Sequence, residues 1–251
     1  MQKFFNYRLV ENLTSVDLNG TAPTVVNCLN PHSFVQALHD DEFRLALEHS
    51  SILLPDGEGI CMALKLWGGK KISKIAGDDL HSHLLQTLAN APSSATAHTT
   101  TKVYYMGSSK NVLQKIEQRL HDEYPSIEVR TWSPSFCERL SDEESLRIIN
   151  DINAFAPDVL FVSMTAPKQE KWVERYRGQL TTPRVIASIG AVFDFYAGTV
   201  KRAPRWAVKM KLEWLFRLLK EPRKMWNRNF VSTPRFLLWV WKNRKELKNK
   251  Q

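Results

Sequence analysis

Three polar stretches stand where a fold could put them to chemical use. In "PDGEG", Pro55–Gly59, Asp56 closes an apolar run in which a charge serves no packing purpose. A carboxylate held among apolar strand ends can act as a general base, and Gly57 and Gly59 would let backbone approach a ligand closely. The same spacing also suits a helix cap, so Asp56 has two readings. In "MTAPKQE", Gln169 and Glu170 open a helix after Pro167 and could cap it or touch a ligand. Asp194 sits between Phe193 and Phe195, either as a buried structural acid or as one that orders a ligand. A fourth stretch is cationic, with nine Lys or Arg and two Trp between Gly198 and Lys224. Nucleic acid, a membrane surface and an anionic substrate are the partners that such a segment suits.

Charge is unevenly placed. Residues 201–251 hold 16 Lys and Arg against 3 Asp and Glu, a net of +13, whereas residues 1–200 carry 19 against 23, a net of −4. Five of the eight Trp (Trp206, Trp214, Trp226, Trp239 and Trp241) fall in the same basic tail, and exposed Trp is costly unless something covers it. The three cysteines, Cys28, Cys61 and Cys137, share no metal-ligand spacing and suggest a reducing, cytoplasmic setting. The N-terminal residues lack an apolar run with a small-residue cleavage site, so no signal peptide is expected. "FLLWVW", Phe236–Trp241, is the longest uninterrupted apolar run and far too short to cross a bilayer.

The elements that must position these residues alternate. "TVVNCL" (Thr24–Leu29) reads as a buried strand, followed by Asn30-Pro31 as an N-cap pair and one amphipathic helix to about His49. "SILLP" is a second strand, followed by a helix and then "GDDLHSHLLQTLAN". Ala91–Thr101 reads as a Ser/Thr-rich linker. Strands "KVYYM", "SIEVRTW", "DVLFVSM" and "RVIASIG" then alternate with helices from about Lys110, from Asp142 behind a Ser141 cap, and after Pro167. This alternation predicts a three-layer, Rossmann-like α/β domain with a parallel sheet over residues 1–197, completed by a basic, Trp-rich helical appendage over 198–251. Ligands of such sheets sit beyond the carboxyl ends of the strands, where the loops 27–31, 55–59, 105–109, 164–170 and 188–195 gather.

Taken together the stretches are more specific than any one of them. "LLPDGEGICMALKLWGG", "KIAGDDL", "APDVLFVSMTAPKQEKW" and "IGAVFDFYAGTVKRAPRW…LEWLFRLLKEPRK" occur in this order and closely resemble the WecG/TagA/CpsF family, glycosyltransferase family 26, from about Thr24 to Arg228. The resemblance implies an inverting, metal-independent transfer of a sugar from a UDP-sugar to a polyprenyl-diphosphate-linked acceptor, on the inner face of the cell membrane, for surface polysaccharide or teichoic-acid-type polymers. N-acetylmannosamine, its uronic acid or a related hexose would be the sugar, and no cofactor is implied. By the same resemblance Asp56 matches the base that takes the acceptor proton. Cys28, Asn30 and Gln169 match positions around the donor and reacting centre, and Gly107 and Gly190 match loop glycines near the nucleotide. Arg202, Arg217, Arg223 and Lys224 match appendage cations that approach the leaving diphosphate. The sequence departs from the pattern at Cys28, where Thr is usual, at Thr165 (usually Gly), at Lys74 (commonly Arg) and at Lys224. A Lys offsets diphosphate charge without the bidentate fork of Arg.

A diphosphate leaving group needs charge stabilisation, which a metal on an Asp-x-Asp motif often supplies; the sequence has no Asp-x-Asp, and "DGE" at 56–58 is the nearest approach. Cationic side chains can serve instead. Arg205, Lys209, Glu213, Arg217 and Lys220 fall on one polar stripe, with Val208, Leu212, Leu215 and Leu219 on an apolar stripe expected to pack on the domain. The remaining cations and Trp, with "FLLWVWKNRKELKNK", are expected to face an anionic bilayer. The competing reading is a non-enzymatic membrane- or nucleic-acid-binding α/β protein, but no nucleic-acid recognition motif is present and none is expected as a partner. No G-x-G-x-x-G follows the first strand, which argues against a dinucleotide-dependent oxidoreductase. The reading leaves room for a homo-oligomer.

Overall fold

The computed structural model describes residues 2–16, 18, 20, 22–67, 71–90, 100–200, 213–220 and 222–249. Eight strands form a single sheet: β1 (Gln2–Phe4), β2 (Tyr7–Leu9), β3 (Thr24–Leu29), β4 (Ile52–Pro55), β5 (Thr101–Gly107), β6 (Ile127–Trp132), β7 (Val159–Ser163) and β8 (Val185–Ser188). Their order is β1-β2-β4-β3-β8-β7-β5-β6, with β1 antiparallel to β2 and the other seven strands parallel. The central strands β3, β4, β7 and β8 are almost wholly buried because helices cover both faces.

The helices that position the cleft are α1 (Pro31–Ala37), α2 (Asp41–Glu48), α3 (Glu58–Trp67), α4 (Gly77–Ala89), α5 (Lys110–Glu123), α6 (Asp142–Phe155), α7 (Lys168–Tyr176) and α8 (Val192–Tyr196). On one face of the sheet, Leu84 of α4, Ile116 of α5 and Phe193 of α8 pack on Val26, Phe161 and Ala187. On the other, Ile152 of α6 and Val173 of α7 pack on Tyr104, Leu160 and Ile186. The alternation of strand side chains between these two clusters is the period-2 pattern of a doubly covered sheet. The α/β architecture expected from the sequence is therefore present.

Two local differences have clear causes. The single helix expected over residues 31–49 is broken, because the Asp40 carboxylate accepts from Phe43 N at 3.0 Å and starts a new helix. The hairpin β1–β2 was not expected; its turn carries Phe5 at φ 56°, a conformation that gives no Gly or Asn-Gly signal in the sequence. The linker at 91–99 lies outside the described residues.

The tail is organised differently from the expectation. Helix Glu213–Lys220 leads through Pro222–Trp226 and a π-helical turn, Asn227–Ser232, into helix Thr233–Lys242 and a last helix, Arg244–Asn249. Phe236 and Val240 are fully buried in a third cluster with Phe4, Phe34, Phe43 and Leu64. Trp239 packs its ring on Phe5 at 4.8 Å and on Phe34 at 5.0 Å. The inward face of this helix thus belongs to the core, which corrects the expectation that the whole segment faces a bilayer; Leu238 and Trp241 remain exposed. Conversely, Leu219 of helix Glu213–Lys220 is 75% exposed, and Leu215 is exposed as well. The apolar stripe expected to pack on the domain does not do so at these two positions, and Val208 and Leu212 lie outside the described residues.

Candidate active site

The chain leaves β3 toward β4 on one side and leaves β5 toward β6 on the other, so the loops beyond the strand ends diverge. A crevice is expected at such a reversal. An open cleft of about 2410 Å³ lies there, lined by the ends of β3, β4, β7 and β8, by the loops after β5 and β6, and by the tail residues Trp214, Met225, Arg228 and Phe230.

Asp56 follows β4 directly. Its backbone N–H reaches Leu29 O and Leu54 O, both at 2.9 Å, so the turn that carries the carboxylate is pinned across β3 and β4. Helix α3 begins two residues later, at Glu58. The glycines around Asp56 serve packing more than ligand approach: a Cβ on Gly59 would meet the Pro31 ring at 2.6 Å, and Gly57 adopts φ 106° beside Asn30. The Asp56 turn and the start of α1 therefore fit each other as one unit.

Asn30 caps α1. Its Oδ1 accepts from His32 N and Ser33 N at 3.0 Å, while Ser33 Oγ accepts from Asn30 N at 2.8 Å. The cap occupies the amide oxygen and leaves the amide nitrogen for a ligand. Cys28 lines the cleft beside it. Burial pushes its thiol well above the ordinary range, and Asp56, Glu170 and Asp79 push it further in that order, so Cys28 is a neutral thiol ringed by carboxyl groups.

Gln169 and Glu170 occupy the first turn of α7, and both are buried. Met164 N donates to Gln169 Oε1 at 3.2 Å, and Gln169 Nε2 donates to Glu170 Oε1 at 2.9 Å. Glu170 is 2% exposed, and burial raises its carboxyl to about 7 despite the Gln169 bond. Its Oε2 has no hydrogen-bond partner among the described residues. Gly190 adopts φ 58° and accepts from Ser163 Oγ at 2.5 Å. Gly107, at φ 124°, stands so close to β7 that a Cβ would lie 2.1 Å from Ser163 O. It is the following residues, Ser108 and Ser109, that line the cleft, with Ser109 Oγ accepting from Val112 N at the start of α5. Asp194 also lines the cleft, and Thr199 Oγ1 donates to its backbone oxygen at 3.1 Å.

Asp56, Cys28, Asn30, Gln169 and Gly190 thus meet in one cleft. Arg202 lies outside the described residues, as do the side chains of Arg217, Arg223 and Lys224. Of the cleft residues, Ser188, His32 and Arg228 have no role assigned from the sequence, and Glu170 is named there only as a helix cap or a ligand contact. His32 Nδ1 lies 2.8 Å from Ser232 Oγ, joining α1 to the tail, and burial with the neighbouring Arg228 lowers its imidazole to about 4. Only the fold brings these side chains to the cleft, and sequence spacing does not show it. Among the described residues no group of three or more His, Cys, Asp or Glu is placed to hold a metal ion, and no helix is long and apolar enough to cross a membrane.

A doubly wound sheet with a large cleft at its switch point, lined by carboxyl groups and by tail residues that include Arg228, is the architecture of an α/β protein with a ligand-binding crevice. Residues 5–250 match the profile of the Glycosyl transferase WecG/TagA/CpsF family, and the chain belongs to that family. Its relatives include the N-acetylglucosaminyldiphosphoundecaprenol N-acetyl-beta-D-mannosaminyltransferase of Bacillus subtilis (strain 168), 31% identical over 224 residues that cover 89% of this chain and 81% of the relative. Proteins of the same name from Bacillus spizizenii and Staphylococcus aureus (strain MW2) are 29% and 26% identical, covering 93% and 99% of this chain and 85% and 87% of theirs.

Proposed function

We propose that this glycosyltransferase transfers N-acetylmannosamine, with inversion and without a metal, from its UDP conjugate to a polyprenyl-diphosphate-linked sugar. The product would feed a bacterial surface polysaccharide or teichoic-acid-type polymer. The observation that carries the proposal is Asp56, set at the cleft by two backbone bonds in a chain whose relatives are named for this transfer. The Asp56 carboxylate takes the proton of the acceptor hydroxyl as that oxygen attacks the anomeric carbon from the face opposite the diphosphate, and the bond to the β-phosphate breaks to release UDP. The N-terminus of α5 lies behind Ser108 and Ser109 at the cleft, and the positive end of a helix is a favourable place for a phosphate. Arg228 at the cleft adds positive charge, and Arg202, Arg217, Arg223 and Lys224 are assigned the same task by family resemblance.

The protein would work at the inner membrane face, held peripherally. Exposed Leu219, Trp226, Phe230, Leu238 and Trp241 on a tail of net +13 support this reading, since apolar groups among cations suit an anionic bilayer. The test is a panel of nucleotide sugars with a short-chain lipid-linked N-acetylglucosamine acceptor, run with and without exhaustive chelation. UDP-N-acetylmannosamine should be consumed in both conditions and should give a β-linked product. Preference for the uronic acid or another hexose would replace the sugar in this reading. An α-linked product would overturn inversion, and loss on chelation with rescue by Mg²⁺ would overturn metal independence. No transfer from any nucleotide sugar would favour a non-enzymatic membrane-binding protein.

A further inference from the structure

Among the described residues two carboxyl groups, those of Asp158 and Glu170, are buried almost completely, and they are treated differently. Asp158 accepts from Lys102 N at 2.9 Å and lies 3.5 Å from Arg184 Nε, so its charge is answered within the fold. Glu170 receives the single side-chain bond from Gln169, and its Oε2 has none. A second buried oxygen shares this condition: Ser188 Oγ at the end of β8, 0% exposed, also lacks a partner among the described residues. Both residues line the cleft. Ser188 lies two residues beyond Ile186, whose side chain joins Val173 and Tyr176 of α7 in one cluster, so strand alternation puts the hydroxyl on the α7 face of the sheet. Glu170 comes down on that face from the first turn of α7. Unpaired buried oxygens cost stability, and a fold retains two in one seam of a binding cleft when something else pairs with them.

The chemistry narrows what that is. An apolar group would leave both oxygens unpaired. A phosphate would meet Glu170 with Asp56 and Asp79 close by, all three acting on the Cys28 thiol. A hydroxyl both donates and accepts, so it can pair with a carboxyl and a serine at once. We infer that Glu170 Oε2 and Ser188 Oγ form a subsite for the hydroxyl groups of a neutral sugar ring, set apart from the diphosphate, and that they help to select the sugar. The inference rests on the proposed glycosyl transfer. The donor and the acceptor both carry such a ring, and the experiment separates the two.

The wild-type protein, Ser188→Ala and Glu170→Met are titrated with UDP and with UDP-N-acetylmannosamine, and the acceptor KM is measured for each. Ser188→Ala removes one oxygen with little loss of volume; Glu170→Met keeps the side-chain length and removes Oε2 together with Oε1, the acceptor of the Gln169 bond. If the ring is the donor's, each variant should bind the UDP-sugar about fivefold to tenfold more weakly while UDP binding stays unchanged. If it is the acceptor's, acceptor KM should rise by a similar factor while both nucleotide affinities hold. For Ser188→Ala an unfolding midpoint at or above the wild-type value would accompany either result, because that variant removes an unpaired buried oxygen and breaks no side-chain hydrogen bond among the described residues. UDP and UDP-sugar weakened equally, or no change in any of the three measurements, would overturn the subsite. Wild-type protein that binds neither nucleotide would instead sink the underlying transferase reading and take the subsite with it.

Discussion

The rings of Phe34 and Phe236 meet edge to face, 5.2 Å apart at 80°, and join the first cleft helix to the tail. Phe4 packs on both, at 5.7 Å and 6.1 Å. Phe236→Ala should therefore cost about 3–5 kcal/mol of stability, the range for a buried Phe emptied to Ala. Denaturant titration measures this. Removal of the chain after Thr233 should lower stability still more, and a truncated protein with an unchanged midpoint would show that the tail helix is not core.

Asp56→Asn keeps size and removes basicity. Turnover should fall by roughly 10²–10⁴-fold while the affinity for the nucleotide sugar changes little, as for loss of a general base. An unaltered rate would reduce Asp56 to a turn residue held by Leu29 and Leu54.

Glu170 titrates near 7 when folded, above the ordinary 4.5 of a glutamate, so the folded state holds its proton more tightly than the unfolded one. Stability contributed by the protonated form is full below about pH 4.5 and is lost as pH rises through 7, by about 3 kcal/mol. Glu170→Gln should escape that loss. Unfolding curves at pH 4.5 and 8 that shift equally in both proteins would rule the effect out.

His81 has the opposite sign. It is buried, its Nε2 lies 2.7 Å from Tyr105 OH, and burial followed by the Arg119 charge lowers it to about 3. Phe161 and Tyr196 close around its ring at 4.9 Å and 4.7 Å. Stability is present above pH 6.5 and falls as pH drops toward 3, by up to about 4 kcal/mol. His81→Gln, which does not titrate, should flatten the acid limb of the stability curve measured from pH 7 to 3.

Leu219 and Trp226 are 75% and 60% exposed, and the Trp226 ring packs at a tilt against exposed Phe230, with centroids 4.6 Å apart. Leu219→Glu with Trp226→Glu should lower sedimentation with anionic vesicles by at least about tenfold, since each apolar side chain buried in lipid contributes roughly 1.5–3 kcal/mol. The unfolding midpoint should not move. Binding that survives the double change, or that ignores salt, would shift the contact elsewhere.

The strands and most helices could be read from residue order, because a seven-strand parallel sheet buries near-continuous apolar runs such as "DVLFVSM". Asp56 and Asn30 were legible for a related reason: each sits where a run of one kind ends. Glu170 was legible only as a cap or a ligand contact and Ser188 not at all, since nothing in "PKQE" or "IASIG" says which side chains sink between α7 and β8. The tail misled in a particular way. Phe236 and Val240, four apart, make the same stripe whether they meet lipid or Phe34, and only the unforeseen hairpin at Phe4 and Phe5 decides between them. Leu219 erred in reverse, an apolar position with the right spacing and no surface beneath it.

The bond between His32 and Ser232 has a thermodynamic side. The turn Asn227–Ser232 carries Arg228 into the cleft, Phe230 at its edge and Ser232 against α1, so one short segment answers to two environments. If the membrane binding proposed above holds, a ligand in the cleft and the bilayer outside it would favour the same placement of that segment. Linkage is reciprocal: whatever factor a vesicle adds to nucleotide affinity, the nucleotide must add to vesicle affinity. Such an enzyme would be held longest where its two-dimensional supply of acceptor is, and would let go of the surface as its donor runs out.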